Sequence, residues 1–429
     1  MASSCYYRRL HHHFTQEHAL KTRLNRRQFL ATAAVASGAA FCRAAEHKPK
    51  RILLRSSWQT VNIGDIAHTP GMLALLEKHL PETEVTLWPS GLSKEVRELL
   101  LLRFPKLRLA ESAQTQQAAL AECDFCLHGS GPGLVGAKQL KQWQATGKTY
   151  GFGGVTLNDM ELKDHRELLA GAKFVFCRDT KSLDALKASG ITGPLMEFGP
   201  DATFHLDLQD NTRAKAFLRE HSLASETFAC FIPRLRWTPY WKEGRKYAPE
   251  EQAKREAENE KYREVDHAKL RIAITSWVRE TGLHAMLCPE MTYAVELLKP
   301  LLFDPLPDDV KPRVVVRPSY WLTAEAASTY ARAAAVVSFE MHSPIIAIAN
   351  NTPAIHVRQP TDTRKGQMWR DVGLSDWLFE IDDSTGEQIA AQLLKMHRDQ
   401  DQTKATVTKA RDFTAERGQA MMRSIIAQR

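Results

Sequence analysis

The stretch from Ala333 to Val357 constrains the fold of this chain more than any other. An apolar run, Ala333–Val337, stops at a polar knot, Ser338-Phe339-Glu340-Met341-His342-Ser343, and Pro344 then opens a short apolar helix. Asn350-Asn351-Thr352-Pro353 turns the chain into a second apolar strand, Ala354–Val357. Strand, loop, helix, strand is a βαβ unit, and its crossover helix demands a parallel sheet. In open parallel sheets ligands bind beyond the carboxyl ends of the strands. Glu340 and His342 fall at such an end, before a helix N-terminus whose free N–H groups favour an anion.

The same alternation runs through the rest of the chain. Strands are expected at Arg51–Trp58, Glu84–Trp88, Asp124–His128, Thr149–Gly153 and Ala172–Cys177, with helices at Pro70–Leu80, Lys94–Leu102, Ala113–Ala121 and Thr180–Ser189, the last closed by Gly190. The pattern restarts at Phe228–Ile232 and continues through Ala285–Cys288, Arg313–Val316 and Trp377–Ile381. At 429 residues the chain exceeds one compact core. The fold class is therefore α/β, two Rossmann-like domains facing a cleft, spanning about 50–210 and 225–400. Glu and Lys/Arg interleave over about 241–264, which reads as a solvated helix face or a mobile lid, with a separate helix at His267–Glu280. A last helix in 401–429 is long enough to cross back over the first domain.

The net charge of +8 is mostly a property of the leader. Residues 1–44 carry seven cations against Glu17, so the remainder is near neutral and offers no nucleic-acid footprint. Asn25-Arg26-Arg27-Gln28-Phe29-Leu30 resembles a twin-arginine export signal; the apolar run Ala31–Phe41 is too short to span a bilayer and Cys42-Arg43-Ala44 is a small-x-small cleavage pattern. Export to the periplasm or cell surface is the expectation, with lipid anchoring at Cys42 open. The later cysteines, Cys123, Cys126, Cys177, Cys230 and Cys288, are odd in number and sit in apolar runs, so they read as buried small hydrophobes.

Several residues carry chemistry. Gly131-Pro132-Gly133-Leu134-Val135-Gly136 has the form G-x-G-x-x-G, but it follows a late strand and Pro132 removes an N–H. It reads as a glycine turn, begun by Ser130, passing close to a ligand other than a dinucleotide. Asn62-Ile63-Gly64-Asp65 leaves the first strand, where Asn and Asp either bond a sugar hydroxyl or cap a helix. Arg178, Arg234, Arg236, Arg317 and Arg358 fall at or beyond strand ends, and arginine offers a bidentate fork to carboxylate or phosphate. Glu340 and His342 suit a general acid and base, or a structural histidine; for a metal there is no third ligand at a telling spacing. No metal and no cofactor are expected.

Taken together these segments resemble the polysaccharide pyruvyl transferase family. The resemblance rests on the N-x-G-D loop at Asn62–Asp65, the glycine-rich loop after Cys123-Asp124, and Arg178-Asp179-Thr180-Lys181-Ser182-Leu183. It continues through Pro200-Asp201-Ala202-Thr203-Phe204, Met341-His342-Ser343, Thr352-Pro353 and Lys365. It implies two domains arranged as in GT-B glycosyltransferases and transfer of a pyruvyl unit from phosphoenolpyruvate to a carbohydrate as a ketal. It further implies His342 with Glu340 as catalytic groups, and Arg234, Arg236 and Arg317 as anion holders. Asn62, Gly64, Asp65, Ser130, Gly131, Gly133, Arg178 and Lys365 would contact substrate. The chain departs from the family at Glu340, where an arginine is expected before the Met341-His342 pair. A hydrolase or lyase on acidic or pyruvylated glycans using Glu340 and His342, and a non-catalytic glycan-binding protein, are the alternatives.

Overall fold

A computed structural model describes residues 49–426, so the export signal expected over 1–44, with Cys42, lies outside the described residues. The described residues form one compact body. Its first lobe is built on a parallel sheet in the order β3-β2-β1-β4-β6-β7-β8. These strands are β1 (Arg51–Ser56), β2 (Glu84–Pro89), β3 (Arg108–Leu109), β4 (Phe125–His128), β6 (Thr149–Thr156), β7 (Phe174–Cys177) and β8 (Leu195–Phe198), with β5 (Gly131–Pro132) paired onto β6. The second lobe repeats the plan with β9 (Phe228–Ile232), β10 (His284–Leu287), β11 (Val314–Val316), β12 (Ala335–Ser338), β13 (Ala354–Arg358) and β14 (Leu378–Glu380), ordered β11-β10-β9-β12-β13-β14. In both sheets the order reverses beside the first strand, which is the doubly wound arrangement with its ligand crevice at the reversal.

The central strands are apolar throughout because helices cover both faces. Phe-Ala-Cys-Phe-Ile in β9 and Phe-Val-Phe-Cys in β7 are buried at every position. The five cysteines of the described residues are free and buried. β6 runs past Gly153 to Thr156, where the sequence suggested a stop: the register shifts between Gly153 and Val155, and Gly154 takes φ 87° in the bulge. The charged insertion and the helix expected at His267–Glu280 are one helix, Pro249–Thr281, 33 residues long and closed by Gly282 at φ 67°. Its charged half is held in place, since Asn259 clasps the backbone of Trp237 from both sides at 2.8 Å and Arg255 stacks on Trp237 and Tyr247. The last helix, Gln400–Ile426, places Val407 and Ala410 in the second lobe's core and Met421, Met422 and Ile425 in that of the first.

Where the sheets' carboxyl ends meet, backbone joins backbone. Ile63 N donates to Glu290 O at 3.1 Å and Thr292 N to Val61 O at 3.0 Å. Thr323 and Tyr320 donate hydroxyls to Ile63 O and Thr60 O. The loop leaving β1 is thus pinned to the loop leaving β10.

Candidate active site

The helix Ile63–His79 begins with Asn62 as N-cap, whose side chain accepts from Gly64 N at 2.6 Å. Gly64 must be a glycine: a Cβ there would lie 2.0 Å from His342 Cγ. That approach lets the helix Ile63–His79 of one lobe and the helix His342–Ala349 of the other touch through an imidazole. One turn on from Gly64, His68 meets His342 edge to face, ring centroids 5.1 Å apart.

Each imidazole is held by a carboxylate. Glu290 accepts from Ser343 N at 2.6 Å and from Ser343 Oγ at 2.7 Å, and its other oxygen lies 3.3 Å from His342 Nδ1. The anion expected at that helix N-terminus is therefore the protein's own Glu290. Burial works against both charges of this pair. The bonds from His342 and Ser343 nonetheless keep Glu290 below the usual carboxylate range, and Glu290 lifts His342 above an ordinary histidine. On the other side His68 Nδ1 lies 2.9 Å from Asp201 Oδ1 and 2.8 Å from Ser130 Oγ, and Arg178 Nη1 reaches Asp201 Oδ2 at 2.5 Å. Burial lowers His68, with Asp201 opposing. Asp201 itself stays well below its usual value because the His68 and Arg178 charges outweigh its burial. Nε2 of both histidines is buried and has no hydrogen-bond partner. The two rings thus present a free nitrogen each, with opposite pressures on their protons.

Asp65, facing this pair from the first lobe, accepts from Gln59 and lies near Tyr240 and Tyr320. Beside it Glu340, 3% exposed, has its carboxylate 3.4 Å from Arg234 Nε and one oxygen without a partner. Burial pushes Glu340 up to about 7, against the pull of Arg234. Arg234 also pairs with Asp362 at 2.9 Å, and Lys365 reaches Asp362 at 3.5 Å.

The structure thus gathers His342, Gly64 and Asp65 with Ser130 and Arg178 around the paired histidines, and Glu340 with Arg234 and Lys365 next to them. The other arginines do not converge. Arg236 is clamped by Asp266 at 2.9 Å and by Asp382 over the Tyr262 ring, and Arg317 by Glu325 at 2.7 Å against Phe217 and Trp321. Arg358 pairs with Glu380 at 3.1 Å. Gly131 and Gly133 make room for protein: a Cβ at Gly131 would meet Trp58 Nε1 at 2.4 Å and one at Gly133 would meet Glu161 at 1.7 Å. Asn62 acts as a helix cap. His68, Asp201 and Glu290 went unread as site residues. His68 was legible as the position one turn beyond Gly64, and Asp201 stood in a quoted motif without a role; Glu290 gave no signal beyond ending a strand.

His68, Asp201 and His342 bring one ligand atom each within 4.8 Å. They make a poor metal cage, because Asp201 already accepts from Thr203 N, faces Ser130 Oγ and pairs with Arg178 through its second oxygen. What the arrangement can do is move protons at the two unpartnered ring nitrogens.

The family model for polysaccharide pyruvyl transferase matches residues 62–359. The chain belongs to the polysaccharide pyruvyl transferase family. Among the described residues no helix is long and apolar enough to cross a membrane. No curated protein matches the sequence. Among solved structures, a UDP-N-acetylglucosamine 2-epimerase superposes with a TM-score of 0.55 at 13% identity over 88% of this chain and 94% of its own. S. aureus MnaA with UDP gives 0.53 at 12% over 84% and 91%, and Anabaena HepE with UDP-glucose 0.51 at 12% over 88% and 98%. These likenesses fix the fold: two lobes of the GT-B kind, as the pyruvyl transferase resemblance implied.

Proposed function

We propose that this pyruvyl transferase family member transfers the pyruvyl unit of phosphoenolpyruvate to a carbohydrate diol, with His342 as the acid and base. The observation that carries the reading is the buried His342–Glu290 pair between the lobes, with Nε2 unpartnered. The raised proton affinity of His342 suits protonation of the donor's C3 methylene, which becomes a methyl group. The cation left at C2 takes a sugar hydroxyl oxygen. A second hydroxyl then displaces phosphate from C2, closing the ketal. Of the two hydroxyl protons, one restores His342 and the other leaves on phosphate, so the sum is phosphoenolpyruvate plus diol to ketal plus phosphate.

A second reading, hydrolysis of a pyruvylated glycan, has support of its own. Arg234 is already faced by Glu340 and Asp362, and a trianionic donor there would meet two carboxylates. Glu340, near neutral affinity, would supply the acid for ketal opening. Incubation with phosphoenolpyruvate and β-galactosides separates the two: phosphate release supports transfer, whereas pyruvate release from a pyruvylated galactan with no phosphate from the donor favours hydrolysis. Neither product would leave a glycan-binding protein. The twin-arginine-like leader supports export of the folded chain, a proposal that fractionation of the expressed protein tests.

A further inference from the structure

Arg55 stands apart from the other buried arginines. Arg178, Arg234, Arg236 and Arg317 each have a carboxylate within 3.0 Å. Arg55 is 3% exposed at the carboxyl end of β1, where the strand order of the first sheet reverses, and among the described residues no carboxylate pairs with it. Its guanidinium donates to Trp88 O at 2.9 Å, Ser56 O at 3.3 Å and Ser90 Oγ at 2.5 Å, and Nε has no partner. A buried cation without a counter-ion is costly, and burial depresses its proton affinity to about 10.

The group beside it adds to that cost. Gly136, at φ 81°, is the N-cap of the helix Ala137–Gln144, which has no side-chain cap. A Cβ on Gly136 would lie 2.5 Å from Arg55 Nε, so the guanidinium rests against the positive end of that helix. Glu161, the acid that reaches this loop from the helix Asp159–Asp164, is engaged by the backbone N–H groups of Leu134 at 3.1 Å and Asn158 at 2.9 Å. Ser90 is exposed and Gly136 half-buried, so solvent reaches the rim of the spot while Arg55 lies beneath it. It also borders the histidine pair: Arg55 lies over Trp58 at 5.5 Å, the Trp58 indole donates to Ser130 O at 2.7 Å, and Ser130 Oγ touches His68.

We propose that Arg55 and the N-terminus of helix Ala137–Gln144 form an oxyanion subsite that takes the carboxylate or sulfate of an acidic carbohydrate. The oxyanion chemistry stands on the geometry alone; that its bearer is the sugar substrate rests on the function proposed above. The subsite gives the glycine-rich loop a purpose: without a Cβ, Gly136 lets the guanidinium pack directly against the start of the helix.

The test is calorimetric titration of the full chain, without donor, with glucuronate, glucose and inorganic sulfate, on wild type, Arg55→Met and Ser90→Glu. Glucuronate should bind wild type and be displaced by sulfate, and should bind Arg55→Met at least about 10-fold more weakly, as loss of a charge-assisted fork implies. Glucose should show no dependence on Arg55. Should Arg55→Met fail to fold, Ser90→Glu, at an exposed position within reach of Arg55, should raise the melting temperature and abolish glucuronate binding. Equal binding of glucuronate and glucose, or unchanged glucuronate binding in the folded variants, overturns the proposal; sulfate binding through Arg55 with no uronate binding overturns its assignment to a carbohydrate. Because no turnover is required, failure of the transferase reading shows separately as absent phosphate release.

Discussion

At the scale of residues, the central feature is a pair of imidazoles from opposite lobes, each backed by a buried carboxylate. His342→Gln removes the acid while keeping a polar group against Glu290. Turnover should fall about 100-fold or more, in line with loss of a general acid, while binding of carbohydrate measured by titration changes little. The pH dependence follows from the raised affinity of His342. The protonated pair with Glu290 contributes stability fully below the unfolded histidine value, and that contribution is lost as pH rises through the raised folded value. Activity that needs the proton should therefore decline on the alkaline side, and a pH–rate profile checks it. Glu340 behaves alike in sign, since its value is also raised: the folded state is favoured with the carboxyl neutral and loses ground as pH climbs from the unfolded value of 4.5 through about 7. Relative to Glu340→Gln, wild type should lose on the order of 3 kcal/mol between pH 5 and pH 8, read by denaturant midpoints.

At the scale of elements, the helix Ile63–His79 aligns the site. Asn62→Ala should cost about 1 kcal/mol as a lost N-cap. Gly64→Ala should cost more and reduce turnover, because the new methyl occupies the His342 ring position and one helix must withdraw. Much of this level could be read in advance. The apolar run of β12 and the Asn350–Pro353 turn declare the βαβ unit by themselves, and the N-x-G-D loop marks a helix start. The long helix Pro249–Thr281 was split because its apolar face begins only near His267, while its earlier turns are held by Asn259 and Arg255 through contacts no periodicity encodes. Arginines fall at strand ends, yet Asp266, Glu325 and Glu380 neutralise three of them from other elements of the chain. Glu290 was illegible for the same reason: its role exists only because β10 and β12 flank β9.

At the scale of the whole molecule, two sheets of similar order are tied by the β1 and β10 exit loops and by the helix Gln400–Ile426. Ending the chain at residue 410 would remove Met421, Met422 and Ile425 from the first lobe's core. The loss is on the order of 5 kcal/mol of apolar burial, and calorimetry should show the first lobe melting well below the second. The lobes meet so that an imidazole of raised proton affinity on one side faces one of lowered proton affinity on the other, and that placement is what the proposed function rests on. The most direct measurement runs the reaction with phosphoenolpyruvate and a β-galactoside in D2O and follows the ketal methyl group by NMR. The account predicts a methyl carrying one deuterium, formed by the wild type and at least about 100-fold more slowly by His342→Gln. Formation of the same methyl group at the wild-type rate by His342→Gln would contradict it.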